Sequence, residues 1–250
     1  MHAGWVMKIV TRTEGGPGPA SEQTLSIAHG RIKELHGDGT YYLWDLTQGT
    51  LFQVDPAAKS YSGGKIGEMV SSVRKYLEQM RDEIARMTPE ERQALADRTR
   101  GAPMPVPPGK TPKWTVERTS RTETLLGRRA RVYEIRRNGL LHEERWIAGD
   151  VPFGDDLDYG AYRRASESLE SAFSEGMGNP PPSGPEVEKL ATSGLELKKI
   201  LHGEKVRVVT EVTELDRAEV PESTFTLPVD YMLKDASLPR ARHAEESAAL

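Results

Sequence analysis

Residues 66–87 read IGEMVSSVRKYLEQMRDEIARM, and they decide the fold of this chain. Ile66, Val70, Val73, Leu77, Met80, Ile84 and Met87 recur at alternating spacings of four and three, which places one apolar stripe along a helix. Thr88-Pro89-Glu90-Glu91 then starts a second helix. Thr88 is its N-cap, Pro89 its first helical residue, and Glu91 the partner that reaches back in a capping box. Helices are therefore predicted over about 66–87 and 89–99. The stretch 101–112 carries five prolines and two glycines and reads as an extended connector.

On both sides of this insert the apolar period changes to two. Strand-like runs fill residues 5–61, resume at 113–148 and return as a hairpin at 195–216. Leu25 and Ile27 alternate with Thr24, Ser26 and Ala28; Trp114 and Val116 alternate with Lys113, Thr115 and Glu117. Val206, Val208 and Val212 share one strand face. Such alternation marks antiparallel strands with one wet side. Asn138-Gly139 has the chemistry of a type I′ hairpin, which needs φ > 0 at both central residues. A second helical insert is expected over about 158–192, with Tyr162, Ala165, Leu169 and Phe173 on one face. The order of elements describes an α+β protein: a single curved antiparallel sheet built in instalments, covered by helices inserted between its strands.

Length and composition bound the function. A chain of 250 residues buries roughly 70–75% of its unfolded surface and needs no staple. A formal net charge of −4 argues against a nucleic-acid partner, which attracts a basic surface. There is no cysteine, hence no disulfide, thiolate metal site or cysteine nucleophile. No run approaches the roughly 18 apolar residues of a membrane helix, so no transmembrane segment is expected. Met1-His2-Ala3-Gly4 runs directly into the strand-like Trp5–Val10, as either a chain trimmed behind an export signal or a native cytosolic start would.

Candidate chemistry is sparse. His142-Glu143-Glu144 and Asp155-Asp156-Leu157-Asp158 could suggest a metal or an acid–base pair, but two ligands on a strand face make no site and the acidic run lacks the glycine and distal glutamate of a calcium loop. Both are read as solvated surface. Gly15-Gly16-Pro17-Gly18 leads into a strand, not a helix, so it is a loop and no phosphate cradle. Arg128, Arg129, Arg131, Arg136 and Arg137 could attract anionic headgroups or an acidic protein; the plainer reading is a wet face balanced by Glu123, Glu134, Glu143 and Glu144. Catalytic residues, cofactors and metals are all expected to be none, and the chain no enzyme. Met69, Met80 and Met87 lie on or beside the helical stripe, where a flexible thioether suits repacking around apolar ligands.

Several spaced motifs carry a resemblance. Tyr42–Leu46, Leu51-Phe52-Gln53-Val54-Asp55-Pro56 and Lys59-Ser60-Tyr61 form an aliphatic strand followed by a Val-Asp-Pro…Lys-x-Tyr turn. Leu126–Tyr133, Glu144–Ala148, Gly194–Lys198 and Val220–Pro228 follow in order, and Tyr231 closes a Phe-x-x-Pro-x-Gly-Tyr-like ending with Asp230 at the glycine position. This series resembles uncharacterised secreted bacterial proteins of the LolA-like, lipoprotein-carrier superfamily. The resemblance implies a LolA-like half-barrel over 1–234, an exported periplasmic or outer-membrane-associated protein, and a disordered tail at 235–250. The architecture, the apolar stripe at 66–87 and the aromatics spread over the strands point to a non-enzymatic cell-envelope protein holding an apolar, acyl or lipid-like ligand between sheet and helical lid. The lining expected for that ligand is Trp44, Val70, Val73, Leu77, Met80, Ile84, Trp114 and Trp146. The alternative is a structural or interaction subunit that docks an envelope protein partner with nothing in its interior. The chain departs from the carriers in lacking an identifiable acyl-contacting arginine motif.

Overall fold

The computed structural model describes residues 2–16, 19–98, 112–176, 181–203 and 205–234. Six strands open the chain: β1 (His2–Glu14), β2 (Ser21–Ala28), β3 (Arg31–His36), β4 (Tyr41–Asp45), β5 (Thr50–Asp55) and β6 (Ser60–Lys65). Helices α1 (Ile66–Arg86) and α2 (Pro89–Arg98) follow, then β7 (Trp114–Leu125), β8 (Arg128–Arg137) and β9 (Leu140–Ala148). Helices α3 (Tyr159–Gly176) and α4 (Pro185–Ala191) precede β10 (Leu195–His202), β11 (Arg207–Val220) and the short β12 (Met232–Leu233).

All these strands join one open sheet in the order β12-β6-β5-β4-β3-β2-β1-β11-β10-β9-β8-β7. Every neighbouring pair is antiparallel except β12 with β6. Tight turns explain the two meanders. Asn138 and Gly139 take φ of 52° and 86°, the type I′ geometry their sequence calls for. His29-Gly30 and Leu126-Gly127 adopt the same left-handed pair without any Asn or Asp to announce it. The meanders become one sheet through β1 and β11, whose ladder runs from His2↔Val220 to Glu14↔Arg207 with one bulge after Lys8.

Strand order then dictates where the helices lie. β6 is second in the sheet and β7 last, ten strand steps away. At about 4.8 Å per step the path is about 48 Å along the sheet. A helix of 21 residues such as α1 covers about 31 Å of it. The chain crosses the sheet's face, and α1 lays its apolar stripe down on the way. Met69, Val70, Val73 and Leu77 are buried, in one cluster with Met7, Leu25, Ile32, Trp44 and Leu51. Helix α3 lies against α1 and adds Leu169 and Ala172 to the same cluster. Helix α4 sits nearer the β7 edge, with Leu190 packed on Ile135 and Ile147.

The helix boundary signals are physically present. The Thr88 backbone N–H donates to Glu91 Oε2 at 2.8 Å, and the Glu91 N–H donates to Thr88 Oγ1 at 3.2 Å. The alternate face of the first meander is also covered: Tyr41, Leu43 and Val54 pack with Leu227 and Tyr231 of the C-terminal segment. No helix among the described residues is long and apolar enough to cross a membrane. The connector 101–111 and the tail 235–250 lie outside the described residues.

Leu77 is 5% exposed, so Leu77→Asp places an unpaired carboxylate in the core. The expected cost is several kcal/mol, or detachment of α1. Circular dichroism should retain the strand signal while binding of an apolar dye rises. Tyr76→Asp, at an exposed position of the same helix, should change stability by no more than about 0.5 kcal/mol. Equal effects of the two substitutions in a denaturant titration would contradict the packing of α1.

Candidate functional site

The candidate site is the layer between the sheet and helices α1 and α3. Its apolar half is built from Trp44 and Leu51 below and the α1 stripe above. Trp44 stands edge-on to Tyr162 of α3, with ring centroids 5.5 Å apart, and its Nε1 donates to the buried Glu34 at 3.4 Å. Tyr42 shares a sheet face with Glu34, its cross-strand partner. Burial, with help from the Glu34 charge, pushes the Tyr42 hydroxyl up to about 12, so it stays protonated throughout the physiological range.

The other half is ionic. Glu143 and Arg145 occupy alternate positions of β9 and are both 7% exposed in their side chains. Arg145 donates from Nε and Nη2 to Glu143 Oε2, each at 2.8 Å. Its Nη1 stands 3.6 Å from Glu196 on β10 and 3.8 Å from Glu167 on α3. Arg163 on α3 pairs with Glu167 at 2.8 Å, an i,i+4 contact, and approaches Glu196 at 3.7 Å. Burial opposes the charge on Glu143 and Glu196, yet the surrounding cations more than offset it and hold both carboxyls below their ordinary value. Glu167 is shifted the other way, because burial outweighs the pull of Arg163 and Arg145.

The fit of this cluster is incomplete. Arg145 Nη1, Arg163 Nε and Glu196 Oε2 are buried without a hydrogen bond among the described residues. Contacts of 3.6 to 3.8 Å attract through charge but are too long to be hydrogen bonds. Helix α3 is thus fastened to β9 and β10 partly by loose Coulombic contacts, whereas α1 is fastened by apolar packing.

The structure brings together most of the residues singled out from sequence. Trp44, Val70, Val73, Leu77 and Trp146 fall in the principal core cluster, and Met80 packs against it half-buried. Burial fades along the stripe, and Ile84 is half-buried outside that cluster. Trp114 is elsewhere: it packs with Ile135, Ile147 and Leu190, its ring centroid 5.0 Å from that of His142. The reading of His142-Glu143-Glu144 as solvated surface is corrected. Glu143 and Glu144 are buried, and Glu144 receives Arg121 and lies 2.9 Å from His202. The reason is that β9 is covered on both faces from Glu143 to Ala148. Asp158 caps α3 through the Ala161 N–H, and Asp156 pairs with Arg217. Among the described residues no group of three or more His, Asp or Glu could hold a metal ion. Arg163, Glu167 and Glu196 escaped the sequence reading. Their signal was the Arg163/Glu167 helical spacing and the three consecutive charges Glu143-Glu144-Arg145 that run straight into the apolar Trp146-Ile147-Ala148.

Two cavities, of about 380 and 220 Å³, lie away from the helix layer and are polar in character. The first is lined by the Glu14–Gly15 turn and the β10–β11 turn, the second by β7–β9 residues with Ser193.

No family model and no curated protein matches the sequence. Solved structures similar to this chain include PNGF-II, 11% identical over 99% of this chain and 33% of that one, TM-score 0.41. The Pseudomonas aeruginosa MucA/MucB complex is 13% identical over 92% and 57%, TM-score 0.40. A LolA superfamily protein from Nitrosomonas europaea is 7% identical over 89% and 90%, TM-score 0.30. This chain spans about a third of the PNGF-II chain and just over half of the chain in the MucB complex. The architecture itself is one open, mostly antiparallel sheet with helices fed between its strands. These likenesses say nothing of activity.

The ionic cluster makes a pH prediction. Glu143, Glu144 and Glu196 have lowered folded pKa values, so the stability they contribute is full above the ordinary carboxylate value of 4.5 and is lost as pH falls through the lower folded values. Glu167, raised, contributes in the opposite sense, below 4.5 and lost as pH rises through its folded value. With three groups against one, unfolding free energy should fall on acidification below pH 4.5. Arg145→Met should cost about 3–5 kcal/mol at neutral pH and flatten that acid slope. A chemical-denaturation series across pH 3–7 checks both, and an unaltered slope in the variant would contradict the cluster's role.

Proposed function

We propose that the chain is a non-enzymatic binding protein of the bacterial cell envelope that takes an apolar, acyl or lipid-like chain between its sheet and the α1–α3 layer. The observation that supports this most is the composition of the layer itself. The α1 stripe covering the sheet is made of Met69, Val70, Val73 and Leu77, with Met80 half-buried at its end. Burial of four such side chains contributes on the order of 6–12 kcal/mol, an upper figure. An alkyl chain offers the sheet the same apolar contacts, so a lifted α1 exchanges one hydrocarbon surface for another at little net cost. Trp44 and Tyr162 supply the aromatic wall, and the methionines repack around chains of different length. The incomplete pairing of Arg145, Arg163 and Glu196 lets α3 move with α1.

A second reading, an interaction subunit docking an envelope protein, is favoured by one feature. Val229 and the two β12 residues Met232 and Leu233 are strongly exposed at one edge of the sheet. An edge strand with apolar side chains is a template for a partner's strand. Both readings place the protein outside the cytoplasm, in keeping with the lipoprotein-carrier resemblance of its motifs.

Solvent extraction of the natively purified protein followed by mass spectrometry tests the first reading. A stoichiometric acyl-bearing species should appear, and should be depleted at least about tenfold from Leu77→Asp protein. A clean extract from protein that also fails to take up added fatty acid would reject it. A stable complex on size exclusion, lost on Met232→Lys, would instead favour the second.

A further inference from the structure

The five arginines of β8 are not equivalent. Arg128 pairs with Asp150, Arg136 pairs with Glu134 and Glu117, and Arg137 lies over the Trp114 ring. Arg129 and Arg131 have no acidic partner among the described residues. They are alternate residues of one strand, so their side chains leave the same sheet face from Cα atoms about 7 Å apart. Both line the cavity of about 220 Å³. Its wall also offers the Thr122 hydroxyl, cross-strand from Arg131, and the Tyr133 hydroxyl, the next residue of β8 on that face. Among the described residues no carboxylate lines it. The nearby Glu123 stands opposite Ala130, hence on the other face, and approaches Lys198.

We infer that this cleft binds a phosphate group, as inorganic phosphate or a phosphate monoester. Two like charges held side by side repel, and a fold that neutralises their neighbours leaves these two for an external anion. A guanidinium fork matches oxyanions by paired hydrogen bonds. Two forks plus two hydroxyls offer more donors than the two oxygens of a carboxylate accept, whereas a phosphate monoester presents three terminal oxygens. The volume admits such a group together with several waters of about 30 Å³ each. Ile147, Gly149 and Ser193, two residues beyond the end of α4, complete the lining. The inference concerns a cleft separate from the α1–α3 layer and stands whether or not an acyl chain binds there.

The test is isothermal titration of the intact protein with inorganic phosphate and with glycerol 3-phosphate, beside sedimentation with phosphatidylcholine vesicles that do or do not contain phosphatidic acid. The control variants are Arg128→Gln and Arg136→Gln. Saturable binding of the soluble phosphates, weakened at least about tenfold in Arg129→Gln/Arg131→Gln and little changed in the controls, is the expected result. Sedimentation only with phosphatidic acid vesicles, lost in the same double variant, supports the site with a lipid headgroup as the source. The double variant should melt no lower than the parent, because it loses repulsion and no partner. Absence of saturable binding in every arm, or equal binding by the double variant, overturns the inference. So does a lower melting temperature that accounts for the lost binding.

Discussion

The structure depends on one topological constraint: β6 and β7 are neighbours in the chain's strand sequence but stand at nearly opposite ends of the sheet. The chain between them must cross the sheet's face, and α1 covers much of that path as helix. From this follows the burial of the α1 stripe, the docking of α3 beside it, and the protection of the apolar face from Met7 to Trp44. The β1–β11 ladder makes the constraint rigid, because it welds two meanders that would otherwise each end in free edges. Pairing the first strand with the eleventh requires closing a loop of almost the whole chain, a slow step in folding.

Within the helix layer two kinds of adhesion act side by side. α1 is held by removal of apolar surface from water, which is non-directional and is satisfied by any hydrocarbon of similar shape. α3 is held partly by a buried ionic cluster whose arginines stay charged but whose members are imperfectly hydrogen-bonded. A cluster of this kind contributes little net stability, since desolvation offsets attraction, yet it fixes which helix register is allowed. Its charges also resist replacement by an apolar ligand, which confines any acyl chain to the α1 and Trp44 side of the layer.

Much of this was legible in the sequence. The α1 stripe, the Thr88–Glu91 capping box and the Asn138-Gly139 turn are local codes, each written within a few residues; the box and the turn are present as read, and the stripe is buried from Val70 to Leu77 but not at Ile84. The turns at His29-Gly30 and Leu126-Gly127 were less audible, because their first residues are forced into left-handed geometry by the strands they join. The ionic cluster was hidden for another reason. Its members come from β9, β10 and α3, so only tertiary assembly brings Glu143, Arg145, Arg163 and Glu196 together. Charged residues on a strand normally mark its wet face; here α3 covers that face. Trp114 was grouped with Trp44 and Trp146 on aromatic character alone, and the strand order puts it at the far edge.

That separation of the tryptophans supplies the most direct test of the central claim, that an apolar chain enters between the sheet and α1. Variants retaining only Trp44 or only Trp114, with the remaining tryptophans changed to Phe, can be titrated with a brominated fatty acid while tryptophan fluorescence is followed. Bromine quenches only at close contact. The account predicts saturable quenching of Trp44 and none of Trp114 beyond that given by free bromide. Equal quenching of both, or an unquenched Trp44 in folded protein, would contradict it.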